Sequence, residues 1–231
     1  MAVVDGVSPA TEVAMIRFVY ADRLNEFPLL AETMFRDRAE QFKKRLCWDV
    51  AVDEAGHERD QYDILNPIYI IWENADGTHG GSLRIMPTLG RTMTAEHFAH
   101  LTDGVRIQSP LIWECTRFCL SPGAPSRVAA ALLAAGIELG LRFGLSQALG
   151  VIYTKTLAIY DRIGHRPEVI GTDDGGRDSI SVCIWDVTEE GRDAICRRAG
   201  FEPGEVAGWF KASFHAAPAA SPPAAAVLEA A

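Results

Sequence analysis

Apolar side chains return at four-residue steps through Leu30, Met34, Phe42 and Leu46, the spacing that lines up one face of an α-helix. The pattern predicts a long helix over residues 23–46, with Pro28 placed for its first turn or for a kink. The position that would complete the apolar series holds Arg38. A guanidinium on a buried face is costly unless carboxylates pair with it in good geometry, and Asp60 and Asp63 are the nearest candidates. The competing reading is an arginine whose stem passes its hydrophobic neighbours and whose head reaches water.

The rest of the chain alternates between strand-like and helix-like patterns. A short run of β-formers, Met15–Tyr20, precedes the helix. Residues 53–66 are polar and broken by Gly56, which predicts a connection. Residues 67–73 and 82–86 are rich in β-formers and flank N-A-D-G-T-H-G-G, a hairpin pattern. A short helix capped by Thr94 is expected over residues 94–101, then an apolar strand over residues 109–120 that stops at S-P-G-A-P-S. Ser126 is placed to cap an Ala/Leu-rich helix running to about Gly144. Further strands are expected at residues 148–154, 167–170 and 179–186, with helices at Leu157–Ile163 and residues 188–199. Such alternation predicts one α/β layered domain over residues 1–215, and the Ala/Pro-rich residues 216–231 read as a disordered tail.

Composition narrows the function classes. With 48% hydrophobic and 23% charged residues, the 231-residue chain can bury a large core. Its 22 Lys and Arg against 31 Asp and Glu give a formal charge of -9, which argues against general nucleic-acid binding. Lys43, Lys44 and Arg45 form a local basic patch, read as the solvated face of a helix or as a docking surface for an acidic partner. Five scattered cysteines without a C-x-x-C pair point to reduced thiols and away from a metal centre. No hydrophobic run is long enough to span a bilayer, and the N-terminus lacks a charged region followed by an apolar one. A cytoplasmic protein is expected.

Charges inside apolar strands mark the candidate chemistry. Glu114 and Arg117 interrupt a segment made otherwise of Leu111, Ile112, Trp113 and Phe118, and Arg84 interrupts S-L-R-I-M. Such groups form either an internal ion pair or a site. Strict alternation puts Glu114 and Arg117 on opposite faces, so a shared pocket requires a bulge or an unravelled strand end.

Four spacings taken together carry a resemblance: R-x(3)-F-x(5)-W at Arg38, Phe42 and Trp48, E-x-D-x-Y-D at residues 58–63, G-S-L-R-x-x-P-T at residues 81–88, and W-E-C-T-R-F at residues 113–118. Over about residues 15–200 the chain resembles the acyl-homoserine-lactone synthases, the LuxI-type autoinducer synthases. The charged and aromatic positions typical of that family find their match in Arg38, Phe42, Trp48, Asp60, Asp63, Arg84, Glu114 and Arg117, and Thr116 stands where the family usually has serine.

The resemblance implies an α/β fold, a GNAT-like mixed twisted sheet flanked by helices on both faces. It implies an acyltransferase that joins S-adenosylmethionine to an acyl thioester, releases methylthioadenosine and yields a quorum-sensing lactone. Adenosylmethionine is then a substrate, and neither cofactor nor metal is expected. Glu114 takes the part of general base, with Arg117 grouped beside it as catalytic. Arg38, Phe42, Trp48, Asp60, Asp63, Arg84 and Thr116 shape the adenosylmethionine pocket, while Thr154 and Thr156 lie where acyl preference is set. The expected donor is a long-chain acyl group on acyl carrier protein, with acyl-CoA as the other possible carrier. Lys43 to Arg45, or Arg162 with Arg166, could supply the basic docking surface. Two rival readings stand beside this one. An acetyl-CoA-dependent GNAT N-acetyltransferase would carry a glycine-rich pyrophosphate loop that residues 121–127 do not match, and a non-catalytic member would bind a nucleotide-like ligand without turnover.

Overall fold

The computed structural model describes residues 14–215. Strands β1 (Met15–Tyr20), β2 (Ile68–Glu73), β3 (His79–Pro87) and β4 (Ile112–Leu120) form an antiparallel meander. With β5 (Gln147–Tyr153), β6 (Glu168–Thr172) and β7 (Ile180–Asp186) they make one seven-stranded mixed sheet in the order β1-β2-β3-β4-β5-β7-β6. Only β4 and β5 run parallel, and they pair only where Ile112, Trp113 and Glu114 meet Gln147, Ala148 and Leu149. Beyond that the two strands part. Gly150 sits at the fork, where a Cβ would stand 3.1 Å from the carbonyl oxygen of Cys115.

Helices α1 (Pro28–Arg38), α2 (Met93–His97), α3 (Ser126–Arg142), α4 (Leu157–Ile163), α5 (Glu189–Ala199) and α6 (Pro203–His215) cover the sheet. Strand β2 is buried on both faces: Tyr69 and Ile71 pack with Leu30, Met34 and Phe35 of α1, whereas Ile68, Ile70 and Trp72 join the core built on α3 and α6. A strand covered on both sides reads as a continuous apolar run, which is why period-two patterning is absent there. Each such Leu, Ile or Phe contributes about 1.5–3 kcal/mol, so these clusters set the scaffold on which the polar site is held.

The structure revises several expected boundaries. The first helix begins at Pro28, whose fixed φ suits the first helical position, after a 3-10 turn over Ala21–Glu26. Its winding changes after Arg38, and Ala39–Arg45 is a π-helical segment. Thr92, not Thr94, caps α2, its hydroxyl accepting from the Ala95 N–H at 3.2 Å. Pro125 rather than Ser126 occupies the cap position of α3. Helix α6 was not expected; Val206, Trp209 and Phe210 have helical spacing and are buried, a signal weakened by Gly204 and Gly208. The expected tail over residues 216–231 lies outside the described residues. Among the described residues no helix is long and apolar enough to cross a membrane.

A buried polar tie fastens α1 to β3. His79 Nδ1 lies 2.7 Å from an Asp37 carboxylate oxygen, His79 Nε2 lies 3.0 Å from Ser82 Oγ, and the His79 backbone N–H donates to Thr33 Oγ1 at 2.9 Å. Burial pushes the imidazole below its ordinary value, and nearby Arg38 adds to this, in spite of the Asp37 carboxylate. The folded state therefore favours the neutral ring, whereas the unfolded chain takes up a proton below about pH 6.5. The contribution of His79 to stability is complete above that pH and is lost progressively as pH falls from there through the lowered value of the folded state. Wild-type protein is expected to lose more stability between about pH 7.5 and pH 5.5 than the His79→Asn variant, measured as urea midpoints; equal losses would refute the tie as a titrating element.

Candidate functional site

Three guanidiniums and three carboxylates meet between α1, the 58–63 connection, β3 and β4. Arg38 donates from Nε to Glu58 at 2.6 Å and from both terminal nitrogens to Asp63 at 3.2 Å. Arg84 donates to Asp60 at 2.5 and 2.9 Å and to Asp63 at 2.7 Å, and its Nε donates to Thr116 Oγ1 at 3.0 Å. Arg117 reaches Glu58 at 3.0 Å and Asp60 at 2.8 Å. Tyr69 donates to Asp63 as well. Arg38 and Arg84 are 1% and 0% exposed, so Arg38 does not snorkel to water. Arg38 takes Glu58 and Asp63 as partners, while the Asp60 expected beside it belongs to Arg84 and Arg117.

Unpaired, these charges would be prohibitive in a core; together they balance. Burial alone would raise the Asp63 carboxyl, yet the guanidiniums of Arg38 and Arg84 hold it well below the usual carboxylate range. Asp60 is held low against burial by Arg84 and Arg117. Arg38 is pushed up because Asp63 and Glu58 outweigh its own burial.

A break in β4 brings Arg117 into this group. The β3–β4 register runs from Ser82 opposite Cys119 to Arg84 opposite Thr116, which leaves one extra residue on β4, and Arg117 has φ +53°. The bulge satisfies the condition that alternation imposed. A non-glycine residue in the left-handed region costs about 1–2 kcal/mol and persists only where its surroundings over-determine it; here Glu58 and Asp60 do so. Glu114, fully buried, has a different engagement: its carboxylate accepts from the backbone N–H groups of Thr94 at 2.6 Å and Met93 at 2.9 Å, at the start of α2. Met93 Sδ in turn lies 3.8 Å from Arg117 Nη1, so Met93 links the two.

The end of the first helix places the aromatics. Cys47 takes φ +55°, and the Trp48 N–H returns to the Phe42 carbonyl at 2.8 Å, a left-handed stop one residue wider than the Schellman closure, as the π winding before it requires. Trp48 is thereby laid on Phe42, ring centroids 5.0 Å apart and planes 4° from parallel. The Arg117 guanidinium lies 5.4 Å from the Phe42 ring centre. Trp48 Nε1 donates to the Tyr153 hydroxyl at 2.7 Å.

Residues 22–195 match the family model described as autoinducer synthase. The chain belongs to this family. It is 38% identical over 183 residues, 76% of this chain and 86% of the other, to an acyl-homoserine-lactone synthase of Rhizobium etli. Its fold is shared with BjaI, described as a CoA-dependent acyl-homoserine lactone synthase solved with SAM and isopentyl-CoA, at TM-score 0.74 and 24% identity over 81% of this chain and 90% of that one. A protein from Lactobacillus plantarum described as an N-acetyltransferase shares it more distantly, at TM-score 0.52 and 14% identity over 75% of this chain and 99% of that one. The fold is thus GNAT-like, and the protein is an acyltransferase-type enzyme.

In this synthase the expected acyl-chain residues sit at the end of β5, away from the ion network. Thr154 Oγ1 lies 3.0 and 2.8 Å from the hydroxyls of Ser179 and Ser181, and Thr156 donates to the Tyr153 carbonyl at 2.7 Å. Tyr153 joins the two regions through Trp48. Glu58, Tyr69 and Tyr153 are the residues that the sequence reading did not single out. Glu58 was within reach, since it opens the E-x-D-x-Y-D spacing; Tyr69 and Tyr153 lie on strands whose patterns show only burial. Of the basic residues, Arg166 pairs with Asp161 at 2.5 Å and Lys44 with Glu40 at 2.6 Å. Removing one partner from a buried network strands the others, at a cost of about 3–5 kcal/mol. Arg84→Met is expected to lose about 3 kcal/mol in urea denaturation, and a loss below about 1 kcal/mol would show that water, not protein, balances Asp60 and Asp63.

Proposed function

We propose that the enzyme condenses S-adenosylmethionine with an acyl thioester to give an N-acyl-homoserine lactone, releasing methylthioadenosine. The observation that carries this reading is an asymmetry within the ion network. Arg38 and Arg84 are committed to Glu58, Asp60 and Asp63, whereas Arg117, at 10% side-chain exposure, keeps Nη1 with only the Met93 sulfur beside it among the described residues. A guanidinium donor of that kind suits the carboxylate of adenosylmethionine. Asp60 acts by fixing Arg84 and Arg117, and Asp63 by fixing Arg38 and Arg84, since their carboxylate oxygens are already engaged. Trp48 offers an aromatic face to the sulfonium.

The acyl group arrives as a pantetheine thioester, the chemistry common to acyl carrier protein and CoA, through the fork between β4 and β5. A long acyl chain would lie on the α4 side, where Tyr160 and Trp185 pack with ring centroids 5.2 Å apart. The amine nitrogen attacks the thioester carbonyl, the thiol leaves, and an amide forms. Glu114 takes the ammonium proton, directly or through one water, on the lone pairs left free by Met93 and Thr94. The methionyl carboxylate then attacks the carbon bound to the sulfonium, and methylthioadenosine departs. Adenosylmethionine is consumed, so no cofactor enters the scheme. One domain, residues 1–215, performs both steps, in the cytoplasm where these metabolites are made.

Purified protein mixed with adenosylmethionine and a ladder of acyl-carrier-protein and acyl-CoA thioesters is expected to yield both lactone and methylthioadenosine by mass spectrometry, with the faster arm naming the carrier. Neither product on any thioester would overturn the reading. For Glu114→Gln the expected outcome is retained adenosylmethionine binding with turnover reduced by at least about 100-fold. Near-normal turnover in a folded Glu114→Gln variant would leave Glu114 only its hydrogen bonds to α2.

A further inference from the structure

We propose that Tyr153 is a further catalytic residue, its hydroxyl donating a hydrogen bond to the acyl carbonyl oxygen as the amide forms. An indole nitrogen can only donate, so in the 2.7 Å contact with Trp48 Nε1 the phenol oxygen is the acceptor and its own O–H proton is left for another partner. Among the described residues nothing accepts that proton: Thr156 donates to the Tyr153 carbonyl, and the Lys155 ammonium, 4.6 Å from the ring centre, has no lone pair to accept it. The ring is therefore held from two sides while the hydroxyl donor stays available.

Its position gives that donor a use. Tyr153 is the last residue of β5, beyond the fork, since β5 pairs with β4 only through Gln147, Ala148 and Leu149. Through Trp48 and Phe42 it is tied to Arg117, which ends the ion network on β4. The chain Arg117, Phe42, Trp48, Tyr153 thus bridges the two strands across their opening, with the carboxylate-binding guanidinium at one end and an O–H donor at the other. When the amine attacks, electrons of the C=O bond move to oxygen, and a fixed donor aimed there stabilises the developing charge.

This inference rests on the proposed reaction. The test compares Tyr153→Phe and Trp48→Phe with wild type, using calorimetry for adenosylmethionine and single-turnover acyl transfer on the best thioester. Tyr153→Phe keeps the ring, so its adenosylmethionine affinity is expected within about twofold of wild type while the acyl-transfer rate falls about 100-fold. Trp48→Phe should weaken adenosylmethionine binding more than it slows transfer, and Tyr153→Gln, which restores a donor, should recover part of the rate. A Tyr153→Phe rate within about twofold of wild type would overturn the proposal, as would weakened adenosylmethionine binding equal to that of Trp48→Phe with transfer intact. Wild-type protein that forms no lactone would sink the parent reading instead.

Discussion

Three arginines cannot be buried without three carboxylates held to meet them, and most of the site's shape answers that requirement. Glu58, Asp60 and Asp63 come from a connection with almost no regular structure, and the guanidiniums of Arg38, Arg84 and Arg117 give it one. The backbone supports this in turn: the Asp60 N–H donates to Asp63 at 2.8 Å and the Tyr62 N–H to Asp60 at 2.9 Å. The loop is therefore ordered by charge, together with the buried Tyr62 ring and the Glu58 N–H bond to the Phe35 carbonyl. Hydrophobic clusters on both faces of the sheet fix α1, β3 and β4 closely enough for the pairs to form. Low local polarity then makes each pair strong and each unpaired member expensive.

The same network explains what was legible in the sequence. Arg38 stood out because it broke a four-residue apolar series, and the physics of burial demanded acids for it. Which acids could not be read, because E-x-D-x-Y-D gives separations along the chain but not the direction of each carboxylate. Glu114 and Arg117 presented a conflict between alternation and a common pocket. The sequence could state its condition, a bulge, but not its place, since an arginine in the left-handed region carries none of the marks that glycine or asparagine would. The sheet and most helices followed from periodicity; the capping positions did not, because Thr92 and Thr94 are equal as residue types and only the chain's path decides between them. Trp48 was found as an aromatic at a familiar spacing, but its partner Tyr153 lies 105 residues away, and no local pattern reports such a pair.

Two regions with different chemistry are joined by one structural detail, the way the first helix ends. Up to Arg38 the helix is regular and apolar toward the sheet; past it, the π-helical segment and the left-handed Cys47 turn the chain so that Trp48 folds back over Phe42. π segments commonly mark functional positions, and here the segment leads to a stack with the ion-network arginine Arg117 beside Phe42 and Tyr153 of β5 bonded to Trp48.

The bulge at Arg117 makes the length of β4 as much a determinant of the site as its composition. Glu114 and Thr116 share a face, and the extra residue returns Cys119 to that same face, opposite Ser82. Loss of a single codon between Thr116 and Cys119 would restore plain alternation without changing the polarity of anything that remains. Arg117 or its replacement would leave the carboxylates, and the strand end would slip against β3. The residue count of β4 is therefore as binding on the site as the identities of Glu114, Thr116 and Arg117 that it spaces.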